Sequence, residues 1–443
     1  MPIIKYPKDL AVVVHSEIEK KHPSSLPIEV LMSLFETMYF ASIKTEESEP
    51  IIFNIVYLDS PEKGSSQLYE SPHDHWSIVQ FSDPIIFNLQ NIIKLAKASD
   101  PRSSSLAVYN DKENKLYIFG LIDQGNRYYD YVNYETELRP ERPGIFQASL
   151  EMPGNIIAYI NHKKIAELRV NLIVQRAINV FSEGPIRDTL NAGLNSYLSS
   201  IKRKLSPTVA ETIIDSEDEL TKYWFSAICR LILRIKSYRH GGALLFSNAR
   251  KDSGLTIKYP ISYSRLRLSL IKRAVNRANL LHKSKLIDNL INDEEDIPLE
   301  LYLEERGFDD NLVQLKSEID GSLWFISLLS RVDGLILLNR RLDVRGFGVE
   351  IKSSEVPDNI FRCSNRIPTK TSLQPADYNH FGTRHRSMMR YCWNYEDTVG
   401  FVVSQDGEVR AITKQNDQLL IWDNIQLQAQ TFIPKRIFRT KKI

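Results

Sequence analysis

The chain has 443 residues, of which 42% are hydrophobic and 25% are charged, and its net charge is +2. This length suits two or three domains with separate cores, and the small net charge gives no global argument for a nucleic-acid or membrane partner. The three cysteines match no zinc-ligand spacing and no apolar run reaches the ~20 residues needed to span a bilayer, so we expect a soluble, cytoplasmic protein with no membrane partner.

The first half of the chain has the pattern of a mixed α/β domain. Residues 26–40 and 84–98 have apolar residues at helical spacing, and residues 50–58 form an apolar run of strand length. Two strand-like runs, 105–109 and 115–122, flank a polar loop, which is typical of a hairpin. A second strand pair is predicted at 144–150 and 155–161.

The middle of the chain is predicted to be helical, and the last part alternates helices with strands. Helices are expected at 165–181, 186–205, 220–235, 263–282 and 312–331, and strands at 241–246, 255–259, 332–338, 344–352, 398–404 and 408–413. Strand 255–259 is the expected partner of strand 241–246. We place the domain boundary near residue 210, which gives an N-terminal domain 1–210 and a C-terminal domain 211–443. Each is expected to be mixed α/β, the second with a mixed β-sheet flanked by helices.

A short cationic segment stands out in the C-terminal half. Gly382-Thr383-Arg384-His385-Arg386-Ser387 combines two guanidinium groups, hydroxyl donors and open backbone amides in what reads as one turn. Arginine donates in a planar fork that fits phosphate oxygens, so this segment suits a polyphosphate. Upstream, Asp333 adds a carboxylate at the start of an apolar strand, as divalent-metal phosphoryl chemistry requires. The two segments predict a nucleotide-handling site.

These two segments resemble the paired motifs of a known family. Val332-Asp333-Gly334-Leu335 is similar to the Asp-Gly-Ala motif of the diadenylate cyclase (DAC) domain family, and Gly382–Arg386 matches its Gly-Thr-Arg-His-Arg motif. In the family's order, His240–Leu244 resembles its first core strand and Val402–Gly407 its Val-Ser-Glu-Glu-x-Gly segment. The resemblance covers about residues 215–440. Together with Ser404–Gly407, the segment Arg345–Glu350 resembles more closely a group of bacterial DAC proteins that carry an N-terminal probable sensor domain (DACNV). By this resemblance, the N-terminal domain of this chain would be that sensor.

The resemblance implies a nucleotidyltransferase that condenses two ATP molecules into cyclic di-AMP and two pyrophosphates. It implies Mg²⁺ or Mn²⁺ as cofactor and a homo-oligomer in which two DAC domains face each other. The implied catalytic residues are Asp333, Arg384, His385 and Arg386, and Asp333 is also the implied metal ligand. The implied nucleotide-binding residues are Gly334, Leu335, Gly348, Val349, Gly382, Thr383, Arg384, Arg386, Ser387 and Ser404.

Several positions depart from the family pattern and leave a second hypothesis open. Leu335 replaces an alanine beside Asp333, Gln405 and Asp406 replace two glutamates, and Met388 and Met389 replace small residues. The alternative is a catalytically silent DAC-like module that binds nucleotides as a sensor or scaffold.

Two other patterns have ordinary structural interpretations. The basic residues between 265 and 285 suit a nucleic-acid stripe less well than a solvated cationic helix face, so nucleic acid is an unlikely partner. His73-Asp74-His75-Trp76 is more typical of a polar loop than of a metal site.

Overall fold

The structure is a computed structural model that describes residues 4–20, 26–58, 77–99, 103–123, 146–160, 163–174, 177–214, 217–247, 254–405 and 407–427. The chain divides into two compact units, Met1–Ala177 and Ile178–Ile443. Both units are mixed α/β, which confirms the predicted fold class. In the ranges given above, no helix is long and apolar enough to cross a membrane.

The first unit contains three described helices and ten described strands. The helices are α1 (Pro7–Glu19), α2 (Ile28–Ser42) and α3 (Leu89–Ala96), and the strands are β1 (Thr45–Glu46), β2 (Glu49–Pro50), β3 (Phe53–Tyr57), β4 (Ser77–Ile86), β5 (Ser104–Asn110), β6 (Leu116–Asp123), β7 (Phe146–Met152), β8 (Asn155–Ile160), β9 (Lys163–Arg169) and β10 (Leu172–Val174). Among the described residues, strands β3 to β10 form one sheet in the order β10-β9-β8-β7-β3-β5-β6-β4.

The core of the first unit lies between this sheet and its helices. Helix α2 buries Leu31, Leu34, Phe35 and Met38, whose spacing of three or four residues places them on one face. This face meets the central strands, where the rings of Phe35 and Phe146 lie 6.2 Å apart. The predicted helix 26–40 and both predicted strand pairs are therefore present.

Two sequence predictions for this unit are wrong. The segment predicted as a helix at 165–181 forms β9 and β10, because its residues pair in register with β8 and with each other. Antiparallel pairing with β8 and burial of Ala166, Glu167 and Leu168 outweigh the helical spacing of a few apolar residues. Residues 84–86 belong to β4, and the helix predicted at 84–98 begins only at Leu89, where the Asn88 side chain accepts a hydrogen bond from the backbone of Asn91.

The second unit is built on a larger sheet with long helices. Its described helices are α4 (Pro185–Lys202), α5 (Pro207–Ile214), α6 (Glu217–Ser237), α7 (Arg265–Asn292), α8 (Leu299–Leu328) and α9 (Thr383–Asn394), and its described strands are β11 (Gly242–Phe246), β12 (Leu255–Tyr263), β13 (Leu335–Leu338), β14 (Val344–Ile351), β15 (Ile360–Cys363), β16 (Leu373–Pro375), β17 (Val399–Val403), β18 (Val409–Gln415) and β19 (Gln418–Trp422). In this part of the chain the strand order is β12-β14-β13-β11-β17-β18-β19-β15-β16.

Strand β11 lies in the middle of this sheet and every one of its residues is buried. It runs parallel to β13 and antiparallel to β17. Strands β11, β13 and β17 are continuous apolar runs, which is typical of strands covered on both faces. The sequence predicted each of these strands correctly.

The structure corrects three expectations about the second unit. Strand β12 pairs with β14 and not with β11, because β13 and β17 already occupy both edges of β11. The helix predicted at 312–331 begins at Leu299. The segment 382–387, interpreted as a turn, is the beginning of helix α9, with Gly382 as its N-cap.

The second unit begins at Ile178, whereas the sequence analysis placed the domain boundary near residue 210. Helices α4 and α5, which the sequence analysis assigned to the N-terminal domain, belong to the second unit. Gly193 of α4 packs directly against the backbone of Arg340, which follows β13. This close packing agrees with the assignment of α4 to the second unit, which begins at Ile178.

Candidate functional site

The sheet of the second unit brings the implied site segments to one edge. Leu244 of β11 is opposite Ile336 of β13, so the first residues of these two parallel strands lie side by side. Gly242 is opposite Val403, the last residue of β17. Asp333 and Gly334, just before β13, therefore lie at the same edge as Ser404, just after β17.

A second pair of implied residues joins this edge through direct backbone packing. Gly334 has φ +111°, and a Cβ atom on it would lie 2.6 Å from the carbonyl carbon of Gly348 and 2.7 Å from the nitrogen of Val349. Only glycine allows this conformation and this approach. The Asp333-Gly334 turn is thus held against the backbone of Gly348 and Val349.

Helix α9 directs its N-terminus towards the same edge. Its first backbone hydrogen bond runs from the N–H of Arg386 to the carbonyl of Gly382, at 3.0 Å. The N–H groups of Thr383 and Arg384 therefore have no acceptor within the helix, and no acidic residue lies in the first turn. Such an end carries partial positive charge and suits an anion.

Arg384 connects helix α9 to the central strand. A Cβ atom on Gly241 would lie 2.4 Å from Nη1 of Arg384 and 2.9 Å from the carbonyl oxygen of Val403. Gly241 has φ +73°, so glycine is favoured here by conformation as well as by space. The guanidinium group thus rests on the start of β11, beside the end of β17.

The charged groups at this edge are not neutralised by each other or by neighbours. Asp333 and Arg384 are exposed, and among the described residues neither side chain has a counter-ion or hydrogen-bond partner. The guanidinium of Arg386 lies 5.9 Å from the ring centre of Tyr378, and in the same ranges no carboxylate pairs with it. A carboxylate and two cationic forks are therefore available to a ligand.

His385 differs from Arg384 and Arg386 because its side chain is buried and contacts Arg410. Nη1 of Arg410 on β18 donates to Nε2 of His385 at 3.0 Å. Arg410 also forms ion pairs with Glu408 and Asp423, and it lies over the ring of Phe381 at 5.6 Å. Because an arginine can only donate, Nε2 of His385 must accept, which places the ring proton on Nδ1.

Other implied residues contribute backbone or local contacts. The side chains of Leu335 and Val349 are buried in the core between the sheet and α9, so only their backbone faces the edge. The backbone N–H of Ser404 donates to the carbonyl of Glu408 at 2.8 Å, which closes the turn after β17. Ser387 Oγ accepts a hydrogen bond from Arg390.

The departures from the family pattern mostly lie away from the edge. Met388 and Met389 are buried, and Met388 fills the space above Gly400, where a Cβ atom would lie 2.3 Å from its sulfur. Gln405 is exposed at the edge, and Asp406 lies outside the described residues, as does the His73–Trp76 segment.

The Asp333 carboxylate would hold a metal ion together with the phosphates of a nucleotide, which supply further oxygen ligands. Within the described ranges, no group of three or more histidine, cysteine, aspartate or glutamate residues is arranged to hold an ion. Mg²⁺ characteristically binds through one or two carboxylates plus substrate phosphates, and it keeps several waters. Asp333 beside the cationic forks supplies this kind of donor set.

Two cysteines of the second unit, Cys363 and Cys392, are unsuited to act as nucleophiles. Burial raises the pKa of Cys363 to about 12 and that of Cys392 to about 12. Both thiols therefore stay protonated at neutral pH and are poor nucleophiles.

The basic helix α7 uses several of its cations within the second unit. Arg265 donates to Glu318 at 2.9 Å and Arg267 donates to Asp343 at 2.7 Å. The guanidinium of Arg273 stacks on the ring of Tyr223 at 4.0 Å. These contacts agree with a structural role for the helix.

Sequence reasoning missed Gly241 as the support of Arg384 and Arg410 as the support of His385. The paired glycines Gly241-Gly242 were a signal for close backbone approach. No local signal marks Arg410, because its role depends on the pairing of β17 with β18.

Comparison with known proteins supports the sensor prediction. Residues 20–123 match a family model described as probable sensor domain DACNV. This range lies within the first unit. No curated protein was found to match the chain. The first unit therefore contains a region similar to the probable sensor domain DACNV, at the N-terminal position where the sequence analysis expected one.

Proposed function

We propose that the second unit is a diadenylate cyclase domain that converts two ATP molecules into cyclic di-AMP and two pyrophosphates. The first unit, with its DACNV-like region, would regulate it. A probable sensor domain of this kind is typical of diadenylate cyclase proteins, which supports pairing it with this activity.

One observation carries the proposal. The exposed carboxylate of Asp333 and the guanidinium groups of Arg384 and Arg386 belong to segments that the fold brings to the same sheet edge, together with the N–H groups of Thr383 and Arg384 at the start of α9. A triphosphate needs cationic forks and backbone donors, and its metal ion needs a carboxylate.

The chemistry then follows from positioning and charge. In this proposal two such domains face each other, and each holds one ATP. The 3′-oxygen of each ATP forms a bond to the α-phosphorus of the other, and the bond from that phosphorus to pyrophosphate breaks. Arg384, Arg386 and the first N–H groups of α9 hold the phosphates and stabilise the charge that develops on them.

In this proposal Asp333 binds the metal ion or helps to activate the 3′-hydroxyl. A bound Mg²⁺ or Mn²⁺ would neutralise charge on the phosphate oxygens. Gly334 and Gly348 have no side chains, so the Asp333-Gly334 turn packs directly on the backbone of β14, which would fix Asp333 at the proposed site.

The burial of the substituted residues favours an active enzyme over a silent module. The Leu335 side chain lies in the core, so its extra bulk does not enter the exposed edge. Met388 is accommodated by Gly400. Gln405 is the observation that favours the alternative, because it is exposed at the edge where the resembled family has a carboxylate.

The test is product analysis on the full chain. The protein would be incubated with ATP and Mg²⁺ or Mn²⁺, and products would be identified by liquid chromatography with mass detection. We expect cyclic di-AMP from the parent and a loss of about 100-fold or more in Asp333→Asn. Asp358→Asn is a matched control, since Asp358 is also exposed and has no partner among the described residues.

The same samples separate the two candidates. Binding of ATP without any cyclic di-AMP, under both metals, would support the silent module. Equal product from the parent and from Asp333→Asn would contradict the proposed site. If neither binding nor turnover is found, the nucleotide assignment itself fails.

A further inference from the structure

His385 contacts a cluster of charged side chains formed by Arg410, Glu408 and Asp423. Arg410 uses all three of its guanidinium nitrogens, towards His385, Glu408 and Asp423. Its side chain is only 17% exposed. Partly buried arrangements of this kind fix side-chain orientation, since Arg410 and Asp423 are each held by more than one partner.

A second arginine completes the cluster on the other side of Asp423. Arg362 of β15 donates to Oδ2 of Asp423 at 3.0 Å, while Arg410 takes Oδ1. The two guanidinium groups also lie over the ring of Phe381, at 5.1 and 5.6 Å. Phe381 immediately precedes Gly382, but of the two arginines only Arg410 also contacts the imidazole of His385.

The orientation of His385 matters because of where its other nitrogen lies. Nδ1 is 4.0 Å from the position that a Cβ atom of Gly382 would occupy, so it faces the first turn of α9. With Nε2 accepting from Arg410, Nδ1 carries the proton and is a donor on the side where the proposed phosphates bind.

We propose that Arg410 is a positioning residue for His385, and that it holds the ring as a neutral Nδ1–H donor directed to the first turn of α9. This inference rests on the proposed nucleotide site. Arg410 itself touches no reacting atom and acts through the imidazole. Asp423 and Glu408 in turn hold Arg410, and their carboxylates balance its charge.

The first test is a double-mutant cycle on full-length protein. We expect Arg410→Gln to lower kcat for cyclic di-AMP formation by about 10- to 100-fold with KM changed by less than about threefold, as for misplacement of a catalytic group. In a His385→Gln background the same change should cost less than about threefold. An equal loss in both backgrounds would overturn the proposal, because Arg410 would then act independently of His385.

The matched control is Arg362→Gln. Arg362 shares Asp423 and Phe381 with Arg410 but does not contact His385, so kcat should stay within about threefold of the parent. A loss as large as that of Arg410→Gln would indicate a general role of the cluster in stability and would contradict a specific role of Arg410.

If Arg410→Gln does not fold, Arg410→Lys keeps the charge but has one nitrogen in place of the fork, and the same cycle applies.

A second readout does not depend on turnover. The ¹⁵N shifts of the His385 ring, assigned by comparison with His385→Gln, report which nitrogen carries the proton. We expect the Nδ1–H form in the parent and a mixture of forms in Arg410→Gln. An Nε2–H ring in the parent would overturn the inference even if the protein makes cyclic di-AMP. A parent with the Nδ1–H form but no product would instead count against the proposed function alone.

Discussion

At the scale of single residues, Gly241 is the glycine that packs against Arg384 of the proposed site. Its φ is +73° and Nη1 of Arg384 occupies the space beside its Cα. We expect Gly241→Ala to displace Arg384 and to lower cyclic di-AMP formation by about 10-fold or more, since a small misplacement of a phosphate-binding group is costly. Activity assays on the purified variant measure this.

The control for this substitution is another glycine with open space. Gly307 lies in helix α8, and a Cβ atom on it would meet nothing within 4 Å. Gly307→Ala should leave activity unchanged and stabilise the helix by about 0.5–1 kcal/mol. Full activity in Gly241→Ala would show that Arg384 is not held where the structure places it.

Glu167 in the first unit gives a residue-scale prediction about pH. Its side chain is 3% exposed, and burial alone would raise its pKa, but Lys164 and Arg169 together lower it from 4.5 to about 2. A lowered pKa stabilises the fold above the unfolded value, and this stability is lost as pH falls through the folded value. The first unit should therefore lose stability between about pH 4.5 and pH 2.

The measurement is the free energy of unfolding of Glu167→Gln and of the parent against pH. The lowering of the Glu167 pKa from 4.5 to about 2 corresponds to an upper limit of ~3 kcal/mol at neutral pH, so the variant should be less stable there by up to that amount. The difference should shrink as the pH approaches 2. A difference that is independent of pH would show that the carboxylate charge is not its source.

At the scale of elements, helix α4 belongs to the second unit and packs closely against its sheet. Its Gly193 lies so close to the loop after β13 that a Cβ atom would be 1.8 Å from the carbonyl oxygen of Arg340. Gly193→Ala should therefore force α4 away and destabilise the second unit by about 2–3 kcal/mol or more.

Chemical denaturation followed in the second unit measures this effect. The large rings of Trp224 and Trp422, both buried there, provide a fluorescence signal. Gly321→Ala, on a helical glycine with open space, is the matched control and should not destabilise. An unchanged second unit in Gly193→Ala would mean that α4 does not belong to its fold.

At the scale of the whole molecule, the beginning of the second unit is held by backbone contacts within that unit. Its first residue, Ile178, donates its N–H to the carbonyl of Asn424 at 3.3 Å and accepts from the N–H of Gln426 at 2.8 Å. Asn424 directly follows Asp423, which holds Arg410. A contiguous set of contacts thus joins the beginning of the second unit to His385.

This attachment predicts that a backbone change at Ile178 alters turnover. Ile178→Pro removes the N–H donor and should lower cyclic di-AMP formation by about 3- to 10-fold while ATP still binds, since the phosphate-binding arginines are not touched. Ile178→Val keeps the donor and a branched side chain, and should behave like the parent. Parent-like turnover in a folded Ile178→Pro protein would rule out this route of coupling.

The sequence by itself determined the local elements and the chemistry of the candidate residues. Helix α2 follows from the helical spacing of its apolar residues, and the hairpin of β5 and β6 follows from two strand-like runs around a polar loop. Strands β11, β13 and β17 follow from continuous apolar runs, whose residues are all buried. The types of residue at the candidate site, two arginines and an aspartate, also follow from the sequence alone.

Only the tertiary structure decided which of these residues meet and which way they face. Gly241 and Arg384 are separated by more than a hundred residues, and they meet because β11 pairs with β17 and α9 lies over this pair. The burial of Leu335 and the support of His385 by Arg410 likewise depend on sheet register, as does the replacement of a predicted helix by β9 and β10. Register arises from contacts between distant segments, and no local pattern contains it.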